Sequence, residues 1–380
     1  MNRLPRTFVI FGTILACALP LRSADTQPAT QLAPIVIDKP ASEIKVEDAS
    51  KIAQVRLAEK AILIAQMDDV MSSCDIATGK MLHTFEPTFE QRSHLVTFWL
   101  GMEVSSDESK VCFVTGDNKL SAFDIKTGKV VWTSYVDLKR YDVLRFRADD
   151  CFVAATVSNN TIAVWDIADG HEATAKLGFI PIGQSATAYP INQKSVILVT
   201  KNPNPKDPNL PLNADLFDLA SGQRKHLTEV RGGFDCWVLP GGKEALVLRG
   251  KEVMRPIDSG VRVQELYWSA AERWDLKTCQ KISEAAITPE IMASDQIKLS
   301  ADGRFLVLRE RYHRTAIWDV TAGRLAALVG PEQGCNTIDI SHDGKILAAT
   351  ITVKDAHGTP RTMLVTYDLS KLGGTATWLK

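Results

Sequence analysis

Apolar residues along the chain fall in short runs of strand length, separated by clusters of Asp, Gly, Ser and Asn. The stretch "VSSDESKVCFVTGDNKLSAFD" (104–124) reads as strand, polar turn, strand, polar turn, strand. "LSADGRFLVLRERYHRTAIWD" (299–319) and "ISHDGKILAAT" (340–350) repeat it with Asp-Gly turns, and "LPGGKEALVLRG" (239–250) uses Gly-Gly. Asp, Asn and Gly tolerate the left-handed backbone that tight hairpins need, so these are turns with a physical cause. Capped helical periodicity is not evident after the N-terminal leader, and the pattern predicts an all-β protein.

A second beat runs through the same pattern: apolar-Asp-apolar, then Gly four residues after the Asp. It occurs as "SSCDIATGK" (72–80), "SAFDIKTGK" (121–129), "AVWDIADGH" (163–171), "DLFDLASGQ" (215–223), "ERWDLKTCQ" (272–280), "AIWDVTAGR" (316–324) and, degraded, "VTYDLSKLG" (365–373). The Asp residues are 75, 124, 166, 218, 275, 319 and 368, spaced by 42 to 57 residues. That is the period of a four-stranded propeller blade. One such sheet leaves both faces bare, whereas a radial set buries each face against a neighbour. The expectation is a seven-bladed β-propeller of four-stranded antiparallel blades over residues 51–380, preceded by a cleaved signal peptide (1–24) and a linker (25–50). Approximate blades are 51–88, 95–137, 141–178, 181–229, 232–286, 294–329 and 335–380. The ring closes either through "APIVIDKP" (33–40) pairing with the last blade or through "TATWLK" (375–380).

"AVWDIADG", "ERWDLKTC" and "AIWDVTAG" resemble the Trp-Asp endings of WD40 repeats, and "SADGRFL" and "SHDGKIL" resemble their hairpin turns. The resemblance covers roughly residues 50–380. It departs from the family in lacking a Gly-His dipeptide before the innermost strands, so the hydrogen-bond network of WD40 blades is expected to be incomplete. The recurring Asp residues are read as caps of the turn between the third and fourth strands, accepting backbone N–H bonds. "AFDIKTGKVVW" also resembles the docking motif of quinoprotein-type propellers, in which a Trp eight residues after the Asp stacks on the next blade. Here Trp132 is alone; His83, Thr174, His226, Ser283, Ala327 and Ala376 hold the other positions. Trp132 is therefore read as a packing residue of an outer strand.

The N-terminus, "MNRLPRTFVIFGTILACALPLRSADTQ", has a basic start (Arg3, Arg6), an apolar run from Phe8 to Ala16, and small residues after it. This is the form of a secretory signal cut after Ala18 or Ala24, and the run is too short to span a bilayer. "Ile14-Leu15-Ala16-Cys17" also fits a lipobox with Cys17 acylated, so a tethered form stays open beside the secreted or periplasmic one. No other segment approaches transmembrane length. Removing residues 1–24 leaves 41 basic against 45 acidic residues. Such a balance argues against a nucleic-acid partner. The seven Cys (17, 74, 112, 151, 236, 279 and 335) form no C-x-x-C pair and are read as small buried residues.

Catalytic and metal motifs are not found. His171-Glu172 lacks the second His of a zincin, and the five Gly-Lys pairs precede Met81, Val130, Glu244, Glu252 and Ile346, never Ser or Thr. No cofactor or metal is expected, and the chain is read as a non-enzyme, either a monomer or one subunit of a larger assembly. With the strands of each blade labelled a to d from the innermost outward, antiparallel connectivity puts the a–b and c–d turns on one side of the disc and the b–c and d–a connections on the other. The b–c connections 201–213, 249–271 and 351–361 are long, and function concentrates on long loops of a rigid scaffold. The expected protein- or peptide-docking face thus carries Arg255, Arg262, Tyr267 and Trp268, flanked by Arg309, Arg311 and His313. The alternative is a quinoprotein-like propeller holding a pyrroloquinoline-quinone-type cofactor at its central channel.

Overall fold

The computed structural model describes residues 34–46, 49–66, 71–85, 102–105, 107–114, 119–135, 144–146, 152–157, 161–166, 169–176, 186–192, 194–200, 212–230, 233–256, 262–292, 296–309, 313–355 and 357–372. The expected signal segment (1–24), Cys17, Cys151, the 201–211 stretch, Arg311 and "TATWLK" lie outside them. The described chain is almost entirely strand, with short 3-10 turns at Ala49–Lys51 and Ser370–Leu372. No helix among the described residues is long and apolar enough to cross a membrane.

Two short strands come first, β1 (Ile35–Ile37) and β2 (Ser42–Ile44). Then follow β3 (Ile52–Leu57), β4 (Ala61–Gln66), β5 (Met71–Asp75) and β6 (Met81–Phe85), and β7 (Met102–Val104), β8 (Lys110–Val114), β9 (Lys119–Asp124) and β10 (Val130–Tyr135). The next groups are β11 (Leu144–Phe146), β12 (Phe152–Val157), β13 (Thr161–Asp166) and β14 (Glu172–Lys176), and β15 (Ala186–Asn192), β16 (Ser195–Thr200), β17 (Leu212–Asp218) and β18 (Arg224–Val230). The last are β19 (Phe234–Val238), β20 (Glu244–Pro256), β21 (Arg262–Asp275) and β22 (Gln280–Met292), then β23 (Ile297–Leu299), β24 (Phe305–Leu308), β25 (Thr315–Asp319) and β26 (Arg324–Val329), and finally β27 (Thr337–Ile340), β28 (Ile346–Lys354) and β29 (Pro360–Asp368). Each group is a meander whose strands pair in chain order, and the groups together make a β-propeller.

The expectation of seven equal four-stranded blades is corrected. Six sheets are four-stranded and antiparallel; the β23–β26 sheet is five-stranded and mixed, because β1 joins the outside of β26 in parallel. Ring closure also differs from the expectation. Ile35–Ile37 does not pair with the last sheet; Ser42–Ile44 does, antiparallel to β29 as its outermost strand. The reason is that β27–β29 supply only three strands, so the β29 edge is completed by an N-terminal segment.

The core lies between sheets. Val164, Leu198 and Phe217 pack together between the third and fourth sheets in chain order, and Trp268, Leu306 and Trp318 pack between β19–β22 and β23–β26. Ile44, Val55, Ile62, Ala348 and Leu364 join the last sheet to the first, so the interfaces close on themselves. The four-to-six-residue apolar runs are thus buried on both faces, which is why they lack clean alternation.

The Asp beat has a repeated geometry. Oδ1 of Asp75 accepts bonds from the Thr78 N–H and hydroxyl, both at 2.7 Å, and Asp124 does the same with Thr127. Asp218 with Ser221 and Asp275 with Thr278 repeat it, while Asp319 caps the Ala322 N–H at 2.9 Å. In Asp75 and Asp124 the bond from the Thr hydroxyl is the leading cause that holds the carboxyl below its ordinary range. The preceding hairpin turn has its own cap. Ser105, Ser300 and Ser341 each accept the N–H of the residue five positions on, at 2.9 Å, and donate to Asp107, Asp302 and Asp343.

The Gly of the beat has a second duty. A Cβ at Gly170 (φ +75) would sit 2.7 Å from the Trp132 ring of the preceding sheet, and one at Gly128 (φ +70) would sit 3.2 Å from His83. Trp132 and His83 therefore each pack an outer strand onto the next sheet's turn. Gly222 (φ +68) meets nothing within 4 Å, and Cys279, which replaces the Gly in its own turn, adopts φ 57. Cys74, Cys112, Cys236 and Cys335 are buried free thiols and Cys279 is half-buried.

Candidate functional site

Two regions hold chemistry that the scaffold positions. The first is the predicted docking face. Residues 249–256 and 262–271 are not loop: β20 and β21 pair continuously from Glu244↔Asp275 to Pro256↔Arg262, with one bulge at Arg249/Gly250, and 257–261 lie outside the described residues. The inner strand β19 ends its pairing at Phe234↔Arg249, so Gly250–Pro256 and its partner strand continue past it by roughly 20 Å at about 3.3 Å per residue. Gly233 and Gly250 allow this, since a Cβ at either would lie within 2.7 Å of Leu266, which packs over both backbones. Residues 351–361 are likewise the paired end of β28 and β29, up to Lys354↔Pro360. Period-two alternation was weak in both stretches, and charged and Gly residues masked the strand signal.

The predicted residues separate. Arg255 and Arg262 occupy the paired outer end of the β20–β21 hairpin. Trp268 is buried between two sheets among Leu248, Ile291 and Leu306, and Tyr267 is buried with its hydroxyl donating to Glu265 at 2.6 Å. The aromatic pair therefore serves the core rather than standing on an open surface. The Arg309 guanidinium donates to the carbonyls of Cys335 and Asn336 in the next sheet, and His313 is exposed. Beside them Arg314 pairs with Asp38 at 2.9 Å, fastening the segment after β1.

The second region was not foreseen. Where the inner strands converge, Arg56 (β3), Glu103 (β7), Lys298 (β23) and Asp339 (β27) come together from four sheets. Arg56 Nε lies 3.2 Å from Glu103, Lys298 Nζ lies 3.1 Å from the same carboxylate, and Asp339 Oδ2 accepts the Leu57 N–H at 2.7 Å. Burial pushes Asp339 up to about 6, against the opposing pull of Arg56 and Lys298. Burial also raises Glu103, but Arg56 and Lys298 together outweigh it and hold the carboxyl below its ordinary range. Burial, helped by Arg56, lowers the Lys298 ammonium.

Glu103, Lys298 and Asp339 line a recess of about 50 Å³, together with Ser105, Glu108, Ala301 and His342 of the a–b turns. That is room for a water or two. The recess opens on the side opposite the predicted docking face. The two positive and two negative groups compensate one another, which makes the quartet a tie between sheets that are distant in the chain. A signal for it existed: Glu103-Val104-Ser105, Lys298-Leu299-Ser300 and Asp339-Ile340-Ser341 share a charged-apolar-Ser triplet before the first hairpin turn. Among the described residues, no group of three or more His, Cys, Asp or Glu is placed to hold a metal.

No known family model matches the chain, and no curated protein matches it either.

Proposed function

We propose that this protein is a non-enzymatic, secreted or periplasmic propeller of WD40-like type that acts as a protein-interaction scaffold. The β20–β21 hairpin is the observation that carries the reading: a rigid, continuously paired arm extends roughly 20 Å past the inner strand of its sheet. Lys251, Glu252 and Met254 are exposed along it, and a structural strand of a closed ring has no need of such an extension. Rigid presentation lowers the ordering cost of docking. The alternative, a quinone cofactor at the channel, has less support, because the recess there is small and Glu103 in it is already paired with Arg56 and Lys298.

The test is a photo-crosslinking residue at Met254 in the full chain, compared with one at Lys345 on the opposite side. The expected result is a discrete protein adduct, formed with the cell-envelope fraction, from position 254 alone. Equal labelling from both positions, or none from 254, would overturn the reading. A stoichiometric chromophore after incubation with pyrroloquinoline quinone would favour the alternative.

A further inference from the structure

We infer that the outer edge of β10 accepts an added parallel β-strand from a partner polypeptide, through an extended, uncharged segment of β-branched residues. Outer strands of a propeller expose unpaired N–H and C=O groups, and proteins guard such edges with charge. Three outer strands here are guarded: β14 carries Glu172, β18 carries Arg224, Lys225 and Glu229, and β22 carries Lys281 and Glu284. β6 (MLHTF) and β10 (VVWTSY) contain no charged residue. Met81, Leu82, Val130, Val131 and Tyr135 on these two strands are 42–64 % exposed. The two edges are neighbours, since His83 lies against the Gly128 turn that leads into β10. Among the described residues no strand pairs outside either.

The chain itself shows what covers such an edge. β26 (RLAALV) is apolar after its first residue, and it is covered by Ile35-Val36-Ile37 in parallel register, Ile35↔Ala327 through Ile37↔Val329. Ala327 and Trp132 stand at the same place, eight residues after the capping Asp of their repeats. An incoming strand would therefore lie opposite Trp132, Thr133 and Ser134, with Val131 and Tyr135 flanking it. Backbone bonds would supply affinity and the exposed apolar side chains selectivity, as in other strand-addition interfaces. The inference rests on the reading of a binding propeller but uses the rim rather than the hairpin arm, so it fails or stands independently of the crosslink at position 254.

The experiment is hydrogen–deuterium exchange on the full chain, with and without a synthetic peptide spanning residues 33–37 (APIVI). The expected result is exchange slowed at least about tenfold within 130–135, with β14 and β18 unchanged. Val131→Lys, at an exposed apolar position, should abolish that protection without shifting the melting temperature. Equal protection of the charged edges, no protection of 130–135, or full protection in the Lys variant would overturn the inference. So would protection of 130–135 that appears without peptide and rises with protein concentration alongside a dimer mass, because the occupant would then be a second copy.

Discussion

Gly170→Ala measures how strongly one sheet is docked on the next. The substitution carries two separable costs. An Ala at φ +75 costs about 1–2 kcal/mol for the left-handed backbone alone. The added methyl would also lie 2.7, 2.9 and 3.0 Å from three ring atoms of Trp132, so a rigid indole must move out of a packed interface, an overpacking cost of about 1–3 kcal/mol. Gly222→Ala is the internal control: its φ is +68 and nothing lies within 4 Å, so it pays only the backbone cost. Urea unfolding followed by tryptophan fluorescence should show both variants destabilised, Gly170→Ala by about 1–3 kcal/mol more, at unchanged slope. In a Trp132→Ala background the Gly170→Ala cost should fall to that of Gly222→Ala, because the atoms it collides with are gone. Equal costs for the two Gly variants, or a Gly170→Ala cost indifferent to Trp132, would refute the docking role of the indole.

Further expectations concern the odd turn and the buried charges. Cys279→Gly, which restores at φ 57 the residue found in the equivalent turns, should raise stability by about 0.5–1 kcal/mol, read as a higher urea midpoint. Asp339 has a folded pKa of about 6, above its ordinary value, so its stabilising effect is complete below about pH 4 and fades as pH rises through 6. Two pKa units correspond to at most roughly 3 kcal/mol. The difference in urea midpoint between the native chain and Asp339→Asn should therefore change between pH 4.5 and pH 7.5 in favour of the native chain at acid pH, and a constant difference would contradict the burial argument. Lys298→Met should cost about 1–3 kcal/mol because it leaves Glu103 with Arg56 alone, and adding Glu103→Gln should recover part of that loss in a double-mutant cycle.

Much of the architecture was legible because its signals are local. A capping Asp bonds to the Ser or Thr three residues on in four of its turns, and the next residue, a Gly in three of them and Cys279 in the fourth, takes positive φ, so the beat marks where third strands end. Trp132 was legible as packing for the same reason: it stands at a fixed offset from that beat. The residues of the recess were not, because Glu103 and Lys298 are 195 positions apart and meet only once the ring has closed. Charged residues inside short apolar strands look like edge positions until four sheets bring them together. The loop expected at 249–271 failed over 249–256 and 262–271 for a related reason: their Gly, Arg and Glu residues obscure alternation, while pairing with β22 and the packing of Leu266 over Gly233 and Gly250 support the strands.

Strand class, blade period and turn chemistry were therefore settled by residues within a few positions of one another, where backbone preference and short-range hydrogen bonds dominate. Tertiary structure alone decided which N-terminal strand covered which edge and which charges were paired at the convergence of the inner strands. Those outcomes depend on closing a ring of sheets, and the contacts that close it join parts of the chain that no local pattern relates.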